Sequence, residues 1–198
     1  DREVLATRGS VGVCDVTTLG KIDVQGVDSA DFLNKIYCNG FAKLAVGKVR
    51  YGLMLREDGI ALDDGTAGRL AEDHFVVTTT TANALPVYRH MEFVRQCLFP
   101  DMDVQLISTT EAWAQYAVAG PNSRKLLEKI VDQDICNDAF PFMACANITI
   151  CGGLRARLFR ISFSGELAFE IAVPTAYGDA LMRKIMEAGA EFDVTPYG

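Results

Sequence analysis

Short apolar runs separated by polar turns fill most of this chain, and their period changes from strand-like to helical twice, in the same order. Residues 11–16 and 21–24 are rich in β-branched side chains and predict strands. Asp28 or Ser29 then caps a helix of about two turns, with Phe32, Leu33 and Ile36 on one face. A loop with Asn39-Gly40 and Gly47 follows. Residues 50–55 and 60–63 flank Arg56-Glu57-Asp58-Gly59, where Asp-Gly signals a hairpin. Residues 66–70 and 75–81 predict another strand pair, turned through 71–74. From 82 to 98 the pattern is helical, with Pro86 either in the first turn or breaking the helix. The second half reads strand 113–118, helix 123–130, loop 135–141, strands 148–151 and 155–162 joined at Gly152-Gly153, and strand 168–173. Pro174-Thr175 opens a last helix that stops at Gly189, with Leu181, Ile185 and Met186 as its buried stripe.

Part of this order is a literal repeat. Val24-Gln25-Gly26-Val27-Asp28-Ser29 leads into Leu33, Lys35 and Ile36, and Val118-Ala119-Gly120-Pro121-Asn122-Ser123 leads into Leu127, Lys129 and Ile130. Six identities fall in thirteen residues at an offset of 94, far beyond the roughly 20–50 residues of a solenoid module. The expectation is an α+β fold of two duplicated, intimately packed half-domains, 1–105 and 106–198, each of mostly antiparallel sheet with helices on one side. The seam between such halves is a natural place for a ligand.

Bulk properties narrow the function. Hydrophobic residues make up 49% of the 198, enough for a sizeable core. The net charge of -7 disfavours broad nucleic-acid binding. Lys35, Lys43, Lys48, Arg50 and Arg56 are compatible with a local anion patch or with a solvated mixed-charge face. The six cysteines form no Cys-x-x-Cys pair and only His74 and His90 accompany them, so no metal site is expected. Scattered cysteines in apolar context read as reduced, mostly buried thiols of a cytoplasmic protein. No apolar run approaches the ~20 residues that span a bilayer, and a membrane role is not expected. The chain has no initiator Met and stops at the turn-like Thr195-Pro196-Tyr197-Gly198, so it is expected to be a piece of something longer.

Two acidic positions are candidates for chemistry. Asp63 and Asp64 follow the apolar Ile60-Ala61-Leu62, and adjacent strand residues point to opposite faces, so at most one enters a given pocket. The pair is compatible with a solvated acidic turn, or with Asp64 held in a cleft to accept or orient a proton. Glu170 lies between Phe169 and Ile171; alternation puts it in water, whereas a half-buried carboxylate there could accept paired hydrogen bonds from an amidine-like edge. Residues 78–81 are four threonines able to line a cleft. The 118–121 segment lacks the spacing of a phosphate loop and reads as a structural turn. No nucleophile has an identifiable His partner, so covalent catalysis is unsupported.

Asp15-Val16-Thr17, the Gly20 to Gly26 run, Tyr51 to Gly59, Asp63-Asp64 and Phe169 to Pro174 together resemble the folate-binding aminomethyltransferases, the T-protein of the glycine cleavage system and its relatives. Residues 50–59, Phe140-Pro141-Phe142-Met143 and 160–171 are more similar to one branch, the C-terminal region of the α subunit of bacterial heterotetrameric sarcosine oxidase. The resemblance implies the duplicated fold, here truncated before a C-terminal barrel, and tetrahydrofolate as ligand. It implies that Asp64 acts at the folate N10 region, that Glu170 grips the pterin ring, and that Tyr51 and Leu19 contact folate. Phe163 and Thr78 stand where the glycine cleavage branch has Tyr and Asn, and Gly68 where it has another Tyr, so the pterin grip is kept while amine handling differs.

The implied activity is that of a sarcosine oxidase fragment, an oxidoreductase acting on CH-NH donors, that passes the one-carbon unit to tetrahydrofolate as 5,10-methylenetetrahydrofolate. FAD, FMN and NAD would bind mostly outside this chain, and the other subunits would be its partners. Asp64 from one half and Glu170 from the other are expected to face one hollow. The alternatives are a stand-alone glycine cleavage aminomethyltransferase, which should carry that Tyr and Asn at 163 and 78, and a non-enzymatic folate-binding protein of iron–sulfur assembly, whose Lys-Gly-Cys-Tyr-x-Gly-Gln-Glu stretch is missing.

Overall fold

The structure is a computed structural model that describes residues 1–198. In chain order the elements are α1 (Arg2–Gly9), β1 (Gly12–Asp15), β2 (Gly20–Gln25), α2 (Ser29–Ile36), β3 (Val49–Leu55), β4 (Ala61–Ala71), β5 (His74–Thr79), α3 (Ala84–Phe93) and β6 (Gln105–Ser108). They continue with β7 (Trp113–Ala119), α4 (Ser123–Leu127), β8 (Cys145–Ile150), β9 (Leu154–Phe159), β10 (Ala168–Pro174), α5 (Gly178–Ala188) and β11 (Thr195–Pro196). No helix is long and apolar enough to cross a membrane.

The chain forms two compact units, Thr18–Glu111 and Asp1–Thr17 with Ala112–Gly198. Each has one sheet, giving the mixed α+β class expected. In the first the order is β3-β4-β5-β2-β6, antiparallel throughout. Ile22, Val24, Phe75 and Val77 point from the sheet into a core closed by Phe32, Leu33 and Ile36 of α2 and Val87 and Met91 of α3. The apolar stripe of α2 is buried as its spacing predicts, while Asp31, Asn34 and Lys35 are exposed. Burying side chains of this size stabilises by about 1.5–3 kcal/mol each. In the second unit the order is β11-β1-β7-β10-β9-β8, antiparallel except for β11 against β1. Its core joins Tyr116, Val118, Phe169 and Ile171 to Leu126, Leu127, Leu181 and Ile185.

The repeat extends well past thirteen residues. β5 and β10 open at residues 74 and 168, and α3 and α5 at 84 and 178, each pair 94 apart. The order β6-β2-β5-β4-β3 matches β1-β7-β10-β9-β8. The strands beside β2 and β7 are exchanged, however. β1 precedes β2 in the chain yet pairs with β7, and β6 precedes β7 yet pairs with β2. The expected division at 105/106 therefore differs from the observed one: residues 1–17 belong with the second copy and β6 with the first.

Other differences are local. β4 runs unbroken through Asp63-Asp64-Gly65, where the sequence pattern predicts two separate strands. β6 and β11 carry too few apolar residues to stand out, and neither is predicted. Pro86 does fall in the first turn of α3, which ends in a π-helical turn at Val94–Leu98. α4 stops at Leu127. Asp28 sits at the N-cap of α2, but its carboxylate accepts from the Asp103 N–H (2.8 Å) and not from the helix. Of the six free thiols only Cys145 is buried; Cys38, Cys97 and Cys151 are exposed, against the expectation of mostly buried cysteines.

Candidate functional site

In the Thr18–Glu111 unit the adjacent carboxylates divide as strand alternation requires. Asp63 is 7% exposed. It accepts from the Thr80 N–H (3.0 Å), the Thr80 hydroxyl (2.7 Å) and the Asn83 amide (3.1 Å). Asp64 is exposed and accepts from the Tyr51 phenol at 2.9 Å. That bond is the main reason the Tyr51 pKa is raised, ahead of local desolvation and of the Asp64 and Asp63 charges. Gly65 lets the backbone pass close to β5, since a Cβ there would lie 2.0 Å from the Thr78 carbonyl oxygen.

Tyr51 pairs with Thr66 across β3 and β4. Thr66 meets Thr78 through its hydroxyl (2.9 Å) and its N–H (3.0 Å), so Thr78 is engaged with β4. Thr78 in turn pairs with Lys21 across β5 and β2. Lys21 is 1% exposed and its ammonium donates to the Leu19 carbonyl at 2.9 Å. Leu19 is itself half-buried. One face of the sheet thus carries a row of Tyr51, Thr66, Thr78 and Lys21, with Asp64 one step along β4. Asp23, two residues on from Lys21, accepts from the Thr109 hydroxyl and meets His74 Nε2, each at 3.0 Å.

In the other unit Phe169 is fully buried and Glu170 is half-buried, so alternation holds but does not leave Glu170 in water. The buried Gln115 amide donates to a Glu170 carboxylate oxygen. The Gln115 backbone is itself fixed, its N–H donating to the Thr17 hydroxyl at 3.0 Å. Ala117 pairs with both Glu170 and Cys14, which places Cys14 on the same face. Burial raises the Cys14 thiol, with smaller contributions from the Asp15 and Glu170 charges. The Tyr197 phenol is raised by burial first, then by Cys14 and Glu170. Phe163 lies in the loop before β10, fully exposed, and lines a groove with Val4, Thr7, Glu166 and Tyr197.

A family model described as the GCVT N-terminal domain matches residues 1–198. The chain belongs to the GCVT N-terminal domain family. It is 55% identical over 199 residues to the sarcosine oxidase subunit alpha of Rhizobium meliloti (strain 1021), covering 100% of this chain and 20% of that protein. It is 33% identical to the aminomethyltransferase of Geobacillus sp. (strain WCH70), covering 98% of this chain and 51% of that protein. Among solved structures, glycine cleavage system aminomethyltransferase T from Bartonella henselae superposes with a TM-score of 0.85 at 27% identity, covering 100% of this chain and 50% of that one. The chain therefore spans about a fifth of the length of the first relative and half of the others.

Within this GCVT domain the candidate residues fall into two groups. Tyr51 and Asp64 bond directly, Thr78 joins them through Thr66, and Leu19 through Lys21 and Thr78. Glu170 gathers Gln115, Cys14 and Tyr197, and Phe163 reaches that set only through the groove that Tyr197 shares. Three of the five basic residues considered for an anion patch are engaged separately: Lys35 lies over the Phe99 ring, Arg50 donates to the Gly40 carbonyl, and Arg56 pairs with Asp58. Gln115 and Lys21 are not legible as site residues in the sequence. Polar residues at alternate strand positions read as a solvent face, and nothing local marks that face as buried.

Proposed function

We propose that this chain is the folate-binding, one-carbon-transfer part of a sarcosine oxidase α subunit. Its 55% identity to such a subunit along its whole length supports this reading. The observation that carries it is the division of labour at Asp63 and Asp64: one carboxylate is buried and held by three donors, the other exposed and aimed by a phenol.

In this reading sarcosine is oxidised at a centre elsewhere in the heterotetramer, where FAD, FMN and NAD bind. Tetrahydrofolate is the accepting substrate of this chain. Glu170 suits a pterin edge, because a carboxylate has about four acceptor positions and matches paired N–H donors. Leu19, Thr78 and Phe163 contact the ligand. Asp64 takes the proton that leaves N10 as the second carbon–nitrogen bond forms, and Tyr51 holds the carboxylate in place. If the one-carbon unit arrives as the imine of glycine, both folate N–H protons end on the glycine nitrogen. If it arrives as formaldehyde, they leave in water. The product in both cases is 5,10-methylenetetrahydrofolate.

Titration calorimetry with tetrahydrofolate and a transfer assay on the intact protein test the two roles separately. Glu170→Gln is expected to weaken folate binding by about tenfold or more, the scale of a hydrogen bond to a charged group. Asp64→Asn is expected to leave binding within a few-fold and to slow transfer by about a hundredfold or more. Parental folate affinity in Glu170→Gln overturns the pterin assignment.

A further inference from the structure

We propose that Asp63 is a positioning residue, holding the Asp64 carboxylate against the Tyr51 phenol by tying β4 to the turn at Thr80–Asn83. The part of this that concerns transfer rests on the role given to Asp64 above; the anchoring itself does not.

The sheet has a gap beside these residues. β4 pairs with β3 from Ala61 to Gly68, but its ladder with β5 begins only at Ala67. Asp63 through Thr66 thus have backbone partners on one side alone. Two side chains take the place of the missing ladder. The Thr78 hydroxyl accepts from the Thr66 N–H, and the Asp63 carboxylate accepts from the Thr80 N–H. Asp63 adds the Thr80 hydroxyl and the Asn83 amide, and Asn83 also donates to the Leu62 carbonyl at 3.2 Å. Strand geometry then does the rest: with Asp63 pinned inward, Asp64 must point outward on the Tyr51 side.

The choice of a carboxylate at 63 has a chemical reason. Three donors converge on it, and an ionised carboxylate has only acceptors to offer. An amide would turn its NH2 toward a donor and leave that donor unpaired in a buried place. The same turn reaches the Leu19 segment, where the Thr18 and Thr81 hydroxyls lie 3.1 Å apart and a Cβ on Gly20 would sit 2.8 Å from the Ala84 Cβ. Asp63 therefore fixes Asp64 relative to a turn that also packs beside Leu19.

The test is made on the intact protein with 3-fluorotyrosine incorporated at position 51, its 19F shift followed against pH. Asp64→Asn replaces the charged acceptor of that bond by a neutral amide oxygen and is expected to lower the titration midpoint. Asp63→Asn is expected to move the midpoint in the same direction and to cut the transfer rate constant about ten- to a hundredfold, with folate affinity changed less than the rate. Thr80→Val, which removes only the hydroxyl donor, is expected to move both readings less, and it carries the test if Asp63→Asn does not fold. A folded Asp63→Asn protein whose Tyr51 titrates as in the parent overturns the proposal. If Asp64→Asn leaves transfer intact, the functional reading fails instead, and the fluorine titration still decides whether Asp63 anchors Asp64.

Discussion

Gly26 and Gly120 occupy the same turn in the two copies of the repeat, both at φ 129°, and each faces a main-chain oxygen that a side chain would strike. A Cβ on Gly26 would lie 2.0 Å from the Asp103 carbonyl, and one on Gly120 would lie 2.4 Å from that of Ser10. The residues that follow also match: the Ser29 and Ser123 N–H groups each donate to their glycine carbonyl at 3.0 Å. Two costs thus coincide, an unfavourable φ and a clash with backbone that cannot swing away.

Gly59 separates these costs, since it has φ 82° but nothing within 4 Å of the place a Cβ would take. Gly59→Ala is expected to lose only the conformational part, about 1–2 kcal/mol. Gly26→Ala and Gly120→Ala should lose more than that, seen as lower midpoints in denaturant unfolding. Equal losses at all three would show that the close approach contributes nothing.

The Tyr51–Asp64 bond predicts a pH effect with a definite sign. The Tyr51 pKa is raised in the fold, so whatever its protonated form contributes is complete below the ordinary phenol range and is lost as pH rises through the raised value. Tyr51→Phe removes the donor, and because both side chains are exposed its unfolding midpoint should stay near the parent's. Transfer should slow at neutral pH, and the alkaline limb of the rate profile due to this phenol should disappear. An unchanged alkaline limb in Tyr51→Phe would assign it to another group.

Much of this fold is legible in the chain because its strongest local signals are real. The repeat window, the Asp-Gly hairpin and the stripe of α2 all stand where apolar spacing puts them. The exchange of β1 and β6 is not legible, since each chooses its partner across the repeat and no local residue encodes that choice. The candidate site is legible only as far as its acids. Ala67 pairs with Val77 as Leu158 pairs with Ile171, so in register Asp64 corresponds to Arg155 and Glu170 to Val76: the frame is duplicated and these acids are not. Lys21 and Gln115 do correspond, each a buried polar residue in a central strand. Their alternation with apolar neighbours mimics a solvent face, which hides them from a reading of the pattern alone.

Acid should loosen one turn of the second unit. Asp132 accepts from the Gly152 and Gly153 N–H groups at 2.9 and 3.0 Å, and the Gly152 bond first, then the Thr149 side chain and the Gly153 bond, hold its pKa below the ordinary value of 3.8. A depressed carboxylate contributes stability that is present above its unfolded pKa and is lost as pH falls through the folded one. Asp132→Asn should therefore be less stable than the parent at neutral pH, with the difference shrinking below about pH 4. Thermal melts of both proteins across that range check the convergence.

Gln115 gives the sharpest split between binding and chemistry. Its amide is buried and donates to Glu170, and its own backbone is fixed by Thr17. Gln115→Leu keeps an apolar body of similar length in the strand but deprives the half-buried Glu170 carboxylate of that donor. Folate affinity should fall, because the Glu170 carboxylate loses the donor that fixes its orientation. The transfer rate at saturating folate should hold, because Asp64, the carboxylate proposed to accept the proton, belongs to the other unit and shares no hydrogen-bond partner with Gln115. The measurement is the apparent KM for tetrahydrofolate against kcat in the intact protein. A variant with unchanged KM and reduced kcat would place Gln115 with the chemistry, and would argue against Glu170 as the group that orients the pterin.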